Sequence, residues 1–331
     1  MAARAPPQTR RRELTDPKTD EHHAMLQLYT HADCLMHDPG AGHAERPARL
    51  SAVLHALDMD RYAALDRIEA PLATREQLLR AHSAEYVDRI FADAPREGAH
   101  RLDEDTVMSP GSLDAALRAA GAVVAAVDAV MSGNHGQRAF CAVRPPGHHA
   151  TRDQAMGFCL FNSVAVAAAH AISAHGLKRV AVADFDVHHG NGTQAIFEAD
   201  KRVLFVSSHQ SPLYPGTGFE SEQGVGNIVN GTLSAGDGSR EFRELWNDLL
   251  LPRLNAFKPQ LILVSAGFDA HRSDPLADIR LGQDDYVWIT EQLVALARRH
   301  ADGRLVSTLE GGYDLAALAA SASAHVGALM D

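Results

Sequence analysis

The chain has 331 residues, of which 46% are hydrophobic, and its formal net charge is −11 at pH 7. No apolar run approaches the ~18 residues that a membrane span needs, and no apolar signal-peptide core follows Met1. We therefore expect a soluble, cytoplasmic protein without a membrane partner. The negative net charge argues against nucleic acid as a partner and is compatible with a cationic substrate.

Cysteine and histidine usage narrows the kinds of site to consider. The three cysteines, Cys34, Cys141 and Cys159, are far apart in the sequence and predict neither a disulfide framework nor a C-x-x-C zinc knuckle. The nineteen histidines are more informative, because several of them stand beside Gly and Asp. This pattern indicates metal or acid–base chemistry.

The first 24 residues differ from the rest of the chain. Residues 1–24 are polar, rich in Arg and Pro, and without periodicity, so we predict a disordered or non-native N-terminal extension. No linker-like tract and no internal repeat interrupts residues 25–331, which we expect to form a single domain.

Helices and short apolar segments alternate through that domain. Helices are predicted at 112–131, 163–176, 241–257 and 286–300, and Gly176 has the character of a helix C-cap. Buried strands rich in Val, Leu and Ile are predicted at 138–143, 179–185, 202–208, 260–266 and 304–310. Apolar strands separated by helices are typical of an α/β fold, with a central, mostly parallel sheet and helices on both faces.

Chemically reactive motifs follow all five predicted strands. In chain order they read RPPGHH, DVHHGNG, SSHQSPLYPGTG, GFDAH and GGYD. Ligands of parallel α/β sheets bind at the carboxyl ends of the strands. We therefore expect one site that several loops build together.

Three of the residues in these motifs form a candidate metal site. Asp186 and His188 are two residues apart, so at an extended strand end their side chains project to the same side. Asp269 follows another strand and is the natural third ligand. Two carboxylates and one imidazole suit zinc, and three protein ligands leave a position open for water and substrate, which is typical of a catalytic zinc.

The motifs also resemble, in order, those of the histone deacetylase family, most of all its class II members and their bacterial relatives. The segments that carry the resemblance are RPPGHHA, MGFCLFNSVAVAA, DFDVHHGNGTQ, PGTG, SAGFDAHRSDPL and EGGYD. The resemblance covers nearly the whole chain from about Met25. It implies an arginase–deacetylase fold, one Zn²⁺ on the three residues above, and hydrolysis of acyl-lysine in proteins or peptides.

The resemblance also implies roles in catalysis. His148 would pair with Asp184 and act as a protonated electrostatic helper. His149 would face Asn191 and, lacking a carboxylate partner, would remain neutral and serve as general base, although the two histidines could titrate as a coupled pair. Tyr313 would donate its hydroxyl to the developing oxyanion.

A narrow apolar tunnel for the acyl-lysine is a further implication of the resemblance. The family's tunnel and pocket positions correspond here to Gly157, Phe158, Tyr214, Leu276 and Arg49. Arg49 would lie near an inner acetate pocket, with a surface salt bridge as the alternative. Asp184 and Ser207 stand where the family binds a structural monovalent cation, K⁺, largely through backbone carbonyls.

Two other functions are disfavoured by particular residues. A binuclear manganese ureohydrolase of the arginase type needs extra bridging carboxylates, and the corresponding positions hold Gly190 and His271. A non-catalytic acyl-lysine reader would have no need of His148, His149 and Tyr313 beside three metal ligands.

An acetylpolyamine amidohydrolase is the main alternative. Some relatives of this type carry a glutamate where Leu276 stands, so Leu276 favours peptidyl lysine. Acidic residues in other loops could replace that glutamate at the tunnel rim, and the candidates are Asp38, Glu45, Glu104 and Asp105. The sequence is also compatible with a homo-oligomer.

Overall fold

The computed structural model describes residues 26–132 and 138–331, and the prediction made for residues 1–24 lies outside them. Its main sheet is built from eight strands: β1 Gln27–Thr30, β2 Asp66–Glu69, β5 Arg138–Cys141, β6 Val180–Asp184, β7 Val203–Gln210, β8 Ile228–Leu233, β9 Leu261–Ala266 and β10 Leu305–Leu309. Two short strands, β3 His100–Arg101 and β4 Val107–Met108, pair separately and antiparallel.

The eight strands are arranged in the order β2-β1-β5-β10-β9-β6-β7-β8, and every neighbouring pair is parallel. The central strands are buried along their whole length, as expected where helices cover both faces. This confirms the predicted fold class, an α/β domain around a central parallel sheet.

In the described part of the chain, ten α-helices surround the sheet: α1 Pro47–Ala56, α2 Arg75–Leu78, α3 Ala84–Asp93, α4 Ser112–Met131, α5 Ser163–His175, α6 Asn191–Phe197, α7 Ser239–Leu245, α8 Leu251–Phe257, α9 Gln283–His300 and α10 Leu315–Met330. Turns of 3₁₀-helix lie at Ala32–Leu35 and Asp60–Tyr62, and a π-helical turn, Trp246–Leu250, joins α7 to α8.

The helices form two layers. Helices α4, α5 and α6 pack on one another or on β1, β5, β6 and β7, whereas α1, α9 and α10 form a second packed group that contacts β5 and β9. Alanine dominates the buried positions of α4 and α5, and its small side chain lets these helices approach the sheet and each other closely. The core lies between the sheet and each helical layer.

The sequence located the central elements well. All five predicted strands and three of the four predicted helices are present, with ends that differ by a few residues, and Gly176 caps α5 in the left-handed conformation at φ +67°. The helix predicted at 241–257 is divided into α7 and α8 by the π-helical turn. Strands β1, β2 and β8 were not predicted. The first two have only four residues each, and β8 is interrupted by Asn230 and Gly231, so the apolar pattern is weak in all three.

The sheet order brings the motif-bearing loops together. The strands that precede the five motifs are β5, β10, β9, β6 and β7, and these are five consecutive neighbours in the sheet. Because the strands are parallel, their carboxyl ends share one edge, which is where such folds bind ligands. The helices of the described residues include none that is long and apolar enough to cross a membrane.

Candidate active site

Three side chains from two strand ends converge on one point. His188 Nδ1 lies 3.1 Å from Asp186 Oδ1 and 3.0 Å from Asp269 Oδ2. All three residues are buried, and one ligand atom from each lies within 4.8 Å of the others. The arrangement is therefore able to hold a metal ion, as the spacing of these residues predicted.

The second oxygen of each carboxylate is held by the backbone. The N–H of Gly311 donates to Asp186 Oδ2 at 2.8 Å, and the N–H of Val187 donates to Asp269 Oδ1 at 2.9 Å. A β-carbon at Gly311 would lie 2.0 Å from Asp269 Oδ2 and 2.6 Å from Asp186 Oδ2. The loop after β10 can approach the carboxylates only because residue 311 has no side chain. These contacts orient the two carboxylates for a shared ion, so the donor set fits a metal.

Two adjacent histidines on the loop after β5 lie close to the three candidate metal ligands, and their environments differ. His148 Nδ1 lies 3.0 Å from Asp184 Oδ2, and His148 is buried. Burial alone would lower the pKa of His148, but the nearby carboxylates of Asp184 and Asp186 outweigh it and raise the pKa well above its usual value. This imidazole is accordingly stabilised in its charged form.

His149 has the opposite environment. Its Nδ1 lies 2.8 Å from the amide oxygen of Asn191, and the amide nitrogen of Asn191 points to Met156 Sδ at 3.3 Å. Burial, followed by the charge of the neighbouring His148, lowers the pKa of His149 well below its usual value. The imidazole is therefore neutral, with its proton on Nδ1 and a free lone pair on Nε2.

Tyr313 follows the two glycines after β10 and is almost fully buried. Its ring meets the ring of Phe158 edge-on at a centroid distance of 5.9 Å, and the guanidinium carbon of Arg49 lies 4.8 Å from its centroid. Arg49 is completely buried and donates to the carbonyls of Glu310 and Gly312 at 2.6 and 2.5 Å. The surface salt bridge considered for Arg49 is therefore wrong, and the structure places this side chain behind Tyr313.

A cavity of about 220 Å³ opens onto these groups. Its lining combines reactive and apolar side chains: Asp105, His149, Gly157, Phe158, His188, Leu213, Tyr214, Leu276 and Tyr313. Four of the five residues predicted to bind substrate line it, and Arg49 is the exception. Sequence reasoning missed Leu213, whose one signal was its position immediately before Tyr214.

The walls of the cavity are held by specific contacts. A β-carbon at Gly157 would lie 2.4 Å from the ring of His149, so this residue must be small for the histidine to occupy its place. Phe158 adopts a left-handed backbone with φ +68°, and its N–H donates to Thr106 Oγ1 at 3.0 Å. Tyr214 meets the His149 ring edge-on at a centroid distance of 5.1 Å.

The four acidic residues considered for the rim have different positions. Asp105 lines the cavity, whereas Asp38 and Glu104 are exposed and do not belong to its lining. Glu45 is completely buried and bonded to Arg49 and Arg144. Glu45 therefore cannot reach the rim, and the expectation that it could was wrong because the sequence around it gives no sign of its buried partners.

The residues predicted to bind a monovalent cation are neighbours in the sheet. Asp184 on β6 is paired in register with Ser207 on β7. The Ser207 hydroxyl lies 2.9 Å from His209 Nδ1, and one oxygen of the Asp184 carboxylate accepts from the N–H of Asp186 at 3.1 Å. The two residues thus lie side by side, and a K⁺ site here stays a prediction.

The positions that would serve a second, arginase-type metal do not supply ligands. A β-carbon at Gly190 would lie 2.3 Å from Asp184 Oδ2, so a bridging carboxylate has no room there. His271 lines a separate surface cavity with Arg243 and Arg272, and its Nδ1 accepts from the N–H of Ser273 at 3.1 Å.

A second cluster of metal-ligating side chains lies between α4 and α5. Nε2 of His170 and Nε2 of His175 lie 2.6 and 2.7 Å from Asp128 Oδ1. The guanidinium of Arg80 contacts His170 Nδ1 and can only donate, so Nε2 of His170 carries the proton that Asp128 accepts. This cluster is a hydrogen-bonded network in which His170 Nε2 has no free lone pair for a metal.

Two acidic residues of the site lie within the motifs, although the sequence predicts no role for them. Glu310, in EGGYD, is buried, and its Oε2 accepts from the backbone N–H groups of Gly147 and His148 at 2.6 and 3.2 Å. Asp274, in the SDPL segment, accepts from the backbone N–H of Tyr313 at 2.7 Å. Their partners are distant in sequence, so their presence inside the motifs was the one available signal.

Comparisons with known proteins agree with this geometry. Residues 43–329 match the histone deacetylase domain. The chain belongs to the histone deacetylase family. It is 41% identical to an uncharacterized protein of Synechocystis over 302 residues, which cover 90% of this chain and 97% of that protein. It is 43% identical to the histone deacetylase-like amidohydrolase of Pseudomonas aeruginosa over 279 residues, which cover 82% and 73% of the two chains.

A solved structure supports the same assignment. The crystal structure of the HDA15 HD domain has a TM-score of 0.88 and 36% sequence identity to this chain, and the match covers 93% of this chain and 88% of that one. The sequence-based assignment to the histone deacetylase family is therefore confirmed, and the protein is a hydrolase of that family.

Proposed function

We propose that this family member is a zinc-dependent hydrolase that removes acetyl groups, and some longer acyl groups, from the lysine side chains of proteins or peptides. One observation carries the proposal. A single cavity is lined at once by the metal-triad residue His188, the neutral His149, Tyr313 and the apolar rings of Phe158 and Tyr214. An acyl amide on a methylene chain is a substrate whose chemistry needs all of these groups together.

The proposed zinc ligands are Asp186, His188 and Asp269. When bound, zinc supplies Lewis acidity that polarises the acyl carbonyl and lowers the pKa of water. Three protein ligands leave that chemistry accessible to substrate. The backbone N–H bonds to the outer carboxylate oxygens support this assignment, because they restrict the two carboxylates to one orientation.

His149 is the proposed general base. Asn191 accepts the Nδ1 proton, which leaves the Nε2 lone pair to take a proton from the attacking water and later to return it to the leaving amine. His148 is the proposed electrostatic partner. Its pairing with Asp184 favours the imidazolium, whose charge stabilises the negative charge that develops on the reacting acyl group.

Tyr313 is the proposed oxyanion donor. It lines the cavity together with His149 and His188, so its hydroxyl can donate a hydrogen bond to the acyl carbonyl of a substrate bound there. The buried environment strengthens such a hydrogen bond relative to one in water. The Arg49 guanidinium against the ring adds positive potential on the side away from the cavity.

The apolar walls favour a lysine side chain in the cavity. Phe158, Tyr214 and Leu276 offer the four methylenes of a lysine a surface without polar partners. Such walls discriminate poorly between acyl lengths, by about 1–3 kcal/mol per methylene. Activity on some longer acyl groups is therefore part of the proposal.

An acetylpolyamine amidohydrolase remains the second candidate because Asp105 lines the cavity. Its carboxylate could accept hydrogen bonds from a peptide backbone or attract the distant ammonium of a polyamine. Leu276, which is 36% exposed in the same cavity, has no polar group that could bind an ammonium. We therefore place peptidyl lysine first.

Kinetics on matched substrates test the proposal. The zinc-loaded protein is assayed on an acetyl-lysine peptide, a longer acyl-lysine peptide, acetylspermidine and acetylputrescine, before and after zinc is removed by a chelator. We expect hydrolysis of the acetyl-lysine peptide that chelation abolishes and zinc restores. Binding of the peptide without any hydrolysis would indicate an acyl-lysine reader instead.

A further inference from the structure

A buried carboxylate outside the proposed reaction joins two parts of the cavity wall. Asp274 lies between β9 and α9 and is only 8% exposed. Its Oδ2 accepts a hydrogen bond from the backbone N–H of Tyr313 at 2.7 Å, and its Oδ1 accepts one from the backbone N–H of Leu276 at 3.0 Å. One side chain thus holds the backbones of two residues that line the cavity from different loops.

The two-sided contact requires a carboxylate. An amide side chain of the same shape offers one acceptor oxygen, whereas a carboxylate offers two. Burial, followed by the nearby charge of Asp269, raises the pKa of Asp274 to about 7, and the backbone N–H groups of Tyr313, Leu276 and Asp314 act in the opposite direction. Burial of an acid has a free-energy cost, and these backbone hydrogen bonds offset part of it.

The place of the Tyr313 ring depends on its backbone. Arg49 covers one side of the ring and Phe158 meets it edge-on, but the position of the ring along the loop follows from the backbone that carries it. The loop itself is held at the carbonyls of Glu310 and Gly312 by Arg49. At the N–H of Tyr313 it is held by Asp274.

We propose that Asp274 is a positioning residue that sets the place of the Tyr313 hydroxyl in the cavity and its spacing from Leu276. This inference rests on the proposed function, in which Tyr313 donates to the oxyanion. A misplacement of about 1 Å in a catalytic group can reduce turnover about 10²-fold, so one lost backbone contact is enough to matter.

A double-mutant cycle tests the inference. The zinc-loaded wild type, Asp274→Asn, Tyr313→Phe and the double variant are compared on the amide substrate that the wild type hydrolyses fastest. We expect Asp274→Asn to lower kcat roughly 10- to 100-fold, with little change in KM and unchanged zinc content. In the Tyr313→Phe background the same change should lower kcat by no more than about twofold, because Asp274 acts through the Tyr313 hydroxyl, which that variant already lacks.

Asp278→Asn is the matched control, since Asp278 is an exposed acid of the same segment, and it should leave kcat unchanged. An equal fold-loss from Asp274→Asn in both backgrounds, or no loss at all, would overturn the inference. If Asp274→Asn does not fold, the cycle is run with Asp274→Glu, which keeps two acceptors but displaces them. The same non-additive loss supports the inference, and an additive loss or none overturns it.

A second readout does not depend on the reaction. Hydrogen–deuterium exchange of a peptide that spans residues 310–315 should be faster in Asp274→Asn than in the wild type or in Asp278→Asn. Unchanged exchange would overturn the inference even if the wild type hydrolyses its substrate. A wild type that hydrolyses none of the amides while its exchange responds as expected would instead contradict the proposed function and leave Asp274 as the residue that places Tyr313.

Discussion

His149 and Asn191 form a pair in which the amide fixes the tautomer of the imidazole. The Nδ1 of His149 lies 2.8 Å from Asn191 Oδ1, and the amide oxygen can only accept. The Nε2 lone pair of His149 is therefore available in the cavity, and burial and the charge of His148 outweigh the opposing effect of the Asp186 carboxylate on the pKa of the ring. Asn191 defines the protonation state that a general base needs before the reaction starts.

Replacing Asn191 by Ala should remove the hydrogen bond that fixes the tautomer of His149. We expect turnover of the acetyl-lysine peptide to fall roughly 10²-fold, toward the lower end of what a general base contributes, with zinc content unchanged. Steady-state kinetics and metal analysis measure both quantities. Asn247→Ala, an exposed asparagine, is the control, and wild-type turnover in Asn191→Ala would contradict the assigned role of the pair.

Tyr313→Phe should fold and bind zinc but turn over roughly 10²–10³-fold more slowly, because it lacks one oxyanion donor. Arg49 and Phe158 still pack on the phenyl ring, so the thermal midpoint should change little. Tyr29→Phe, which removes a hydroxyl on β1, is the control. Near-wild-type turnover in fully metallated Tyr313→Phe would show that another group donates to the oxyanion.

Metal content should depend on the absence of a side chain at residue 311. We expect one zinc per wild-type chain and a large loss of zinc in Gly311→Ala, because the new β-carbon would lie 2.0 Å from Asp269 Oδ2. Gly238→Ala, whose β-carbon would have its nearest neighbour at 3.7 Å, should retain zinc. Elemental analysis that finds two tightly bound manganese ions in the wild type would contradict the single-zinc assignment.

Substrate choice should follow the cavity wall. The acetyl-lysine peptide should have a higher kcat/KM than acetylspermidine or acetylputrescine, and Leu276→Glu should narrow the gap by offering the second ammonium a partner. If the wild type prefers an acetylpolyamine, Asp105 becomes the selector, and Asp105→Asn should then reduce that preference. Glu104→Gln, outside the cavity lining, is the charge-matched control for Asp105→Asn.

The buried Glu45 should make stability depend on pH. Burial alone would raise the pKa of Glu45, but Arg144 and His37 outweigh burial and lower the pKa well below its usual value. A lowered folded-state pKa stabilises the fold fully above the unfolded value of about 4.3, and the contribution is lost as the pH falls toward the folded-state value. We expect Glu45→Gln to lower the free energy of unfolding at pH 7 by about 3–5 kcal/mol.

Urea unfolding of the wild type and Glu45→Gln at several pH values measures this contribution. The difference between them should be constant from neutral pH down to about pH 5.5 and should shrink below about pH 4.3. Glu104→Gln, which replaces an exposed acid, is the control. A difference that grows as the pH falls would contradict the assigned direction of the shift.

Much of the site could be predicted from the sequence because its chemistry lies at strand ends. Asp186 and His188 directly follow β6 and Asp269 follows β9, so their order in the chain and the parallel sheet rule were enough to predict their meeting. His148, His149 and Tyr313 follow β5 and β10 in the same way. Local pattern and topology together determined these positions.

Tertiary packing alone decided the roles of the remaining charged residues. Glu45 has the appearance of a loop acid, yet it is buried because Arg144, 99 residues away, reaches it. Asp274 accepts a hydrogen bond from the N–H of Tyr313, 39 residues away. The sequence by itself determined which residues could carry the chemistry. Only the folded chain decided which charges are buried and which backbones they hold, because burial and hydrogen bonding between distant segments depend on packing that no local pattern records.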